Sequence, residues 1–358
     1  MKLTKPIFSI FSLLGLLLVS LVSSAFAGAP PSANTNIASS WDISIIDSEG
    51  DVGYFTSIFV DKNDKVHISY IDGTRGYLRY VTNISGQWET SDVVPASRQN
   101  TSIVVDSAGK VYIGYSGHVV SKDNTGQWTS QNPGVHYNVR SGPSLAVDKN
   151  DVIHLLAITT HTFPLNPLTY YNAEYTNNAN GSFGNHAYPP TCMTGAITLG
   201  SPSLAVDSNG KAHAAFTNTG YLVYSTNKTD SWGCGGYITS NISPYTYSNS
   251  YIAADSAGNA RMPQTNGADF TSLALDSQDK SHVSDFYNNC LRYTTNISGS
   301  SESSYVDCSS AKVGEYNSIA TDAQDNVHIA YFDRTNGNLK YAVGRNSYKL
   351  FLPLLARL

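Results

Sequence analysis

Charge is scarce in this chain: Asp, Glu, Lys and Arg make up 14% of its 358 residues, and the formal net charge is −5. Lys and Arg nowhere cluster, which excludes the basic footprint of a nucleic-acid binder. Cysteines number only four (Cys192, Cys234, Cys290, Cys308), with no Cys-x-x-Cys or Cys–His spacing, so a structural zinc site is excluded. No glycine-rich phosphate loop, Gly-x-Ser-x-Gly elbow or Ser-His-Asp pattern occurs, and no cofactor is expected. Long apolar runs are confined to one place. Ile7 to Val22 is almost wholly apolar, follows Lys2 and Lys5, and leads to the small-x-small site Ala25-Phe26-Ala27. That is the pattern of a secretory signal peptide over residues 1–27, cleaved after Ala27. Its apolar core is short of the about 20 residues of a spanning helix. The mature chain is therefore expected to be exported, monomeric and without a membrane span.

What the sequence does contain is a repeat. Ser57 to Asp61 reads SIFVD, and the unit returns as SIVVD (Ser102), SLAVD (Ser144), SLAVD (Ser203), SLALD (Ser272) and SIATD (Ser318). Each copy continues through a four-residue turn into a second apolar run, with His or Tyr six positions after the Asp. A unit of this size recurring along the chain marks a repeat architecture. The short apolar run reads as a buried inner strand, and the Asp-headed turn as an Asx turn leading to a second strand. Third strands follow at Tyr77, Tyr221, Cys290 and Asn338, and Trp88, Trp128 and Trp232 mark fourth strands. Four antiparallel strands repeated radially describe a β-propeller. The expected fold is therefore all-β, one propeller domain over residues 28–347 with six four-stranded blades.

The two chain ends support a closed ring. The last repeat stops after its third strand, NLKYAVG, while the mature chain begins with a Trp strand, SSWDISIID, that has no repeat before it. A ring in which the N-terminal strand completes the last blade accounts for both. Asp255, in YIAADSAGNARM, heads a further turn of the same kind, so seven blades is the alternative. Asp255 and Asp276 are too close in sequence for four strands between them, which favours six blades and a hairpin insertion between about Asn241 and Ala268. A second insertion, Thr162 to Pro190, falls in the third repeat. The tail Tyr348 to Leu358 (YKLFLPLLARL) resembles the short Leu-Pro-Leu tails that end some secreted bacterial proteins; a terminal strand or a free end is the alternative.

Cys290 and Cys308 flank Gly299 symmetrically, so a hairpin folded there sets them opposite each other as a disulfide. Cys192 and Cys234 are left to pair with each other. The repeated histidines (His67, His154, His213, His282, His328) occupy one structural position in separate blades and cannot converge on a metal. They are expected to pack between blades with their ring nitrogens bonded. The turns lack the oxygen ligand set of a calcium loop.

The run SLAVDSNGKAHAAF followed by YLVYSTN resembles the repeats of bacterial BNR-like proteins of the sialidase-type propeller superfamily, over nearly the whole mature chain. The resemblance implies the propeller fold. The Phe/Tyr-Arg-Ile-Pro run that carries a sialidase arginine is absent, as is the strict Ser-x-Asp-x-Gly-x-x-Trp box.

In a propeller, the loops entering the inner strands and those joining second to third strands open on one face around the axis. The entering loops hold Tyr54, Arg98, Arg140, Ser201, Asp269, Glu315 and Tyr316. The others hold Asp72, Arg75, His118, His161, Asn218, Asn288, Asp333 and Arg334. Arginines, carboxylates and tyrosines facing one funnel suit an anionic or hydroxyl-rich ligand, and Asp269 with Glu315 is the candidate acid/base pair. The expected function is a secreted binding module for a glycan or other cell-surface polymer. A sialidase-like glycoside hydrolase or lyase, or a protein-interaction scaffold, is the alternative.

Overall fold

The computed structural model describes residues 40–345, apart from 124, 136–137, 164–165, 191–198, 219–220, 239–251 and 264–268. The expected signal peptide, residues 1–27, the C-terminal tail and Cys192 therefore lie outside the described residues. Among these residues every regular element is a strand, and every pairing is antiparallel. Strand β1 (Trp41–Asp47) precedes the first blade, which is β2 (Val52–Val60), β3 (Val66–Asp72), β4 (Tyr77–Thr82) and β5 (Glu89–Pro95). The second blade is β6 (Thr101–Val105), β7 (Val111–Tyr115), β8 (His118–Lys122) and β9 (Trp128–Gln131). The third has β10 (Asn138–Val147), β11 (Ile153–Phe163) and β12 (Asn166–Asn177). Its outermost strand is reduced to one bridge, Tyr175 to Ala187, because the Asn- and Gly-rich segment there offers no alternating strand pattern. The fourth blade is β13 (Leu199–Val206), β14 (Ala212–Asn218), β15 (Tyr221–Thr226) and β16 (Gly233–Ile238).

A two-strand hairpin follows, β17 (Ala253–Ala254) and β18 (Ala260–Arg261). The fifth blade is β19 (Asp269–Leu275), β20 (Ser281–Tyr287), β21 (Cys290–Thr295) and β22 (Glu302–Asp307). The sixth is β23 (Val313–Thr321), β24 (Val327–Asp333), β25 (Asn338–Gly344) and, outermost, β1. Trp41 pairs with Gly344 and Asp47 with Leu339, so the N-terminal strand closes the sixth blade. The protein is a six-bladed β-propeller whose seam is joined by its two ends.

The hairpin lies in the ring, not outside it: β17 touches the inner strand β13 on one side and β19 on the other. Its turn is headed by Asp255 as each blade's turn is headed by its own Asp, and Arg261 takes the place of the repeated histidine, with Nε 2.9 Å from Asp255 Oδ2.

The repeated serine joins one inner strand to the next. Ser57 Oγ accepts from Ile103 N (3.1 Å), Ser102 from Leu145 (2.9 Å), Ser144 from Leu204 (3.0 Å), Ser272 from Ile319 (3.2 Å) and Ser318 from Ile58 (3.2 Å). A small side chain with one acceptor oxygen is what two close-packed inner strands allow. Farther out, the tryptophans close four seams. Each packs edge-on against a third-strand tyrosine of the preceding blade, in the pairs Trp128–Tyr80, Trp232–Tyr175, Trp41–Tyr293 and Trp88–Tyr341, at 5.0–5.5 Å. Edge-to-face geometry of this kind adds to the area buried.

The five histidines are buried with their rings bonded through Nδ1, and the bonding partners come from their own blade. In each of the five, Nδ1 lies 2.6–2.7 Å from the hydroxyl of the third-strand tyrosine. Nε2 lies 3.1–3.7 Å from the Asp that heads the turn. Strand alternation explains the meeting, since each Tyr sits two residues from the His's cross-strand partner, a diagonal neighbour on the same face. Cys290 and Cys308 are disulfide-bonded with Cα atoms 4.7 Å apart, across the hairpin that turns at Gly299. Cys234 is also disulfide-bonded.

Candidate functional site

The face on which the inner strands begin is built around a repeated backbone irregularity. In five blades the inner strand bulges just ahead of the repeated serine. In the fifth, sixth and first blades, which are consecutive around the ring, the residue two before the serine is aromatic and left-handed: Phe270 (φ 53°), Tyr316 (φ 49°) and Phe55 (φ 54°). A left-handed aromatic costs about 1–3 kcal/mol and persists only where its surroundings hold it. Here Thr101 Oγ1 donates to the Phe55 carbonyl at 2.8 Å, and Thr56 Oγ1 donates to that of Tyr316, each from the next blade. The result is an aromatic arc. The Phe55 and Tyr316 rings are 4.5 Å apart, and Tyr316 and Phe270 4.6 Å. Tyr54 backs it, 5.5 Å from Tyr316 and 4.4 Å from Phe332. Tyr316 and Phe270 are half-buried, whereas Phe55 and Tyr54 are buried.

Cations stand on this arc. The Arg98 guanidinium lies 4.0 Å from the Tyr54 ring centroid and donates to Asp51 Oδ2 at 3.1 Å. Tyr54 donates its hydroxyl to the same carboxyl at 2.7 Å, and burial, reinforced by that bond, raises the phenol above its ordinary value. Arg334 lies 5.8 Å from the Phe332 centroid and donates through Nε to Glu315 Oε2 at 2.6 Å, a bond that raises its own pKa. Lys312 reaches the other oxygen, Oε1, at 2.9 Å. Both oxygens of the buried Glu315 are thus engaged, while Asp269 is exposed.

Of the sequence-predicted residues, the structure brings Tyr54, Arg98, Glu315, Tyr316 and Arg334 into one cluster. Asp72 and Arg75 instead brace their own loop. The buried Asp72 accepts from Thr74 N, Arg75 N and Arg75 Nε at 2.7–2.9 Å, and Arg75 continues outward to Asp92 on β5. Burial pushes the Asp72 carboxyl up, but the bonds from Arg75 outweigh it and hold it below the ordinary value. Asp333 caps the equivalent sixth-blade loop, accepting from Ser310 and Asn336. His118 and Asn288 are exposed at hairpin tips. The side chains of Arg140, His161, Ser201 and Asn218 lie outside the described residues.

Sequence reasoning passed over Phe55, Phe270, Asp51 and Lys312. The signal was present: YFTS, DFTS and EYNS carry an aromatic two before the serine, where the other blades read QNTS, SGPS and GSPS.

No family model and no curated protein matches this chain. Solved structures do, and three of them align over 84% of this chain. A protein of unknown function from Dyadobacter fermentans aligns with a TM-score of 0.56 at 11% identity, over 84% of this chain and 97% of that one. Virginiamycin B lyase from Staphylococcus aureus, with quinupristin, aligns at 0.52 and 11% over 84% and 99%. An α-L-arabinanase from Penicillium chrysogenum, with arabinobiose, aligns at 0.51 and 12% over 84% and 97%. At such identities the likeness is one of architecture, and it places this chain in the class of propeller-fold proteins.

Proposed function

We propose that the protein is an exported binding module that holds a glycan on the face bearing the aromatic arc. The observation that carries this reading is the set of three left-handed aromatics, Phe55, Tyr316 and Phe270, held in ring contact at equivalent places in consecutive blades. Strain at a repeated position that other blades fill with Asn100, Gly142 or Ser201 has a use if the rings meet a ligand. Each cation of the cluster is already matched to an acid, Arg98 to Asp51 and both Arg334 and Lys312 to Glu315. A surface of rings, donors and acceptors whose cations are each already paired to a carboxylate suits a hydroxyl-rich, neutral sugar better than a polyanion. Binding is favoured over turnover because Glu315, the buried member of the candidate acid/base pair, has both oxygens committed to cations. Export rests on the sequence pattern of residues 1–27.

A glycan-array screen of the mature chain, with product analysis of every sugar retained, tests the reading. Phe270→Gly keeps a residue at ease in the left-handed backbone and removes the ring. It is expected to weaken binding by about tenfold or more, equivalent to about 1.4 kcal/mol, with the fold intact. Unchanged binding in this variant and in Arg98→Ala would move the site away from the arc. Shortened sugars in the products would replace the binding reading with that of a glycoside hydrolase or lyase.

A further inference from the structure

The hairpins joining second to third strands are unequal, and their order around the ring is informative. In the first, fourth, fifth and sixth blades, pairing runs five residues past the repeated histidine, ending at Asp72↔Tyr77, Asn218↔Tyr221, Tyr287↔Cys290 and Asp333↔Asn338. In the third blade it runs nine past His154, to Phe163↔Asn166. Four further residues at about 3.4 Å each make this hairpin ladder about 14 Å longer than those of the first, fourth, fifth and sixth blades. Its base is anchored, since Tyr171 packs on the apolar cluster of Leu156, Ile158, Leu204 and Phe216 shared by the third and fourth blades.

The second blade is the opposite case. Its hairpin ends three residues past Tyr112, at Tyr115↔His118, closed by Ser116 (φ 41°) and Gly117 (φ 80°). Two consecutive positive φ values are those of the tightest hairpin turn. The inner strand of this blade also lacks the bulge.

The aromatic arc occupies the fifth, sixth and first blades, so the tall arm of the third stands across the axis from it. The low second blade lies between arm and arc on one side. The face is a trough with an aromatic floor, a raised β-wall and an open end at the second blade, where Arg98 stands on Tyr54. A closed pocket would suit a terminal sugar, but a trough open at an end suits a chain.

We infer that the ligand is a linear polysaccharide bound along its length between the third-blade arm and the arc, with the chain leaving over the second blade. This rests on the glycan reading above.

The test is binding of linear oligosaccharide ladders of the gluco-, xylo-, arabino- and chito- series, measured by calorimetry on the mature protein. Affinity is expected to rise with length, and replacing residues 161–170 by Asn-Gly should remove that rise. Long members then weaken about tenfold, while the shortest change by less than about twofold. Independently of that excision, four residues inserted between Ser116 and Gly117 block the open end and should also weaken only long members. Near-UV circular dichroism reports folding of both variants. Affinity that does not depend on length, or equal losses at all lengths in a folded variant, overturns the trough and leaves the arc standing. Retention of none of the ladders overturns the glycan reading and the trough with it.

Discussion

At the residue scale, four of the five Asp–His–Tyr sets carry a histidine whose titration is shifted by burial. Burial lowers the pKa of His67, His154, His213 and His328 below the ordinary 6.5, against the smaller opposing pull of the neighbouring Asp. Burial also pushes the Tyr80 phenol, the partner of His67, up to about 12, so it keeps its proton. A histidine whose folded pKa is depressed binds its proton more readily when unfolded. The stability it contributes is full above the unfolded value near 6.5 and is lost as pH falls toward the folded value. The melting temperature is therefore expected to be flat above that point and to drop steadily below it. His67→Gln and His328→Gln together should flatten the acid limb, and an unchanged slope in a folded variant would refute the assignment. The position of each histidine was readable from the repeat. That its partners lie in the same blade was not, because the tyrosine is a different distance away in sequence in different blades: 13 residues from His67, 21 from His154 and 11 from His213.

At the scale of elements, the fifth blade is cross-linked within itself. The Cys290–Cys308 bond ties β21 to the end of β22 over a sequence separation of 18. On the chain-entropy account, closing a loop of that size contributes about 3 kcal/mol. Cys290→Ser with Cys308→Ser should lower the unfolding free energy in urea by about that amount without disturbing the arc, whose Phe270 lies on the inner strand of the same blade. A loss of ligand binding equal to that of Phe270→Gly would show instead that the disulfide holds the face in place. This pairing was legible because the two cysteines sit symmetrically about Gly299. The bulges at Phe55, Phe270 and Tyr316 follow another logic. At Phe55 and Tyr316 the bulged strand presents its carbonyl to Thr101 and Thr56 of the next blade, and strand periodicity carries no mark of a contact made across a seam.

At the scale of the whole molecule, stability depends on the joint between the ends. Trp41 packs on Tyr293 of the fifth blade at 5.1 Å while its strand pairs with β25 of the sixth, so one residue secures both a sheet and a seam. Trp41→Ala should cost about 3 kcal/mol, whereas Ile45→Ser, at an exposed position of the same strand, should stay within about 0.5 kcal/mol. Equal effects in equilibrium unfolding would mean that the closing strand holds by its backbone alone. The sequence by itself determined the class of fold, the ring closure, the position of the extra hairpin and one disulfide, since each is written as a repeat, a missing piece of one, or a local symmetry. Only the tertiary structure decided that the serines fasten neighbouring inner strands, that Asp72 and Arg75 serve their own loop, and that three aromatics from residues 55, 270 and 316 share one face. The serine and aromatic contacts join residues tens to hundreds of positions apart, and those between Ser318 and Ile58 and between Tyr316 and Phe55 exist only once curvature brings the last blade back against the first.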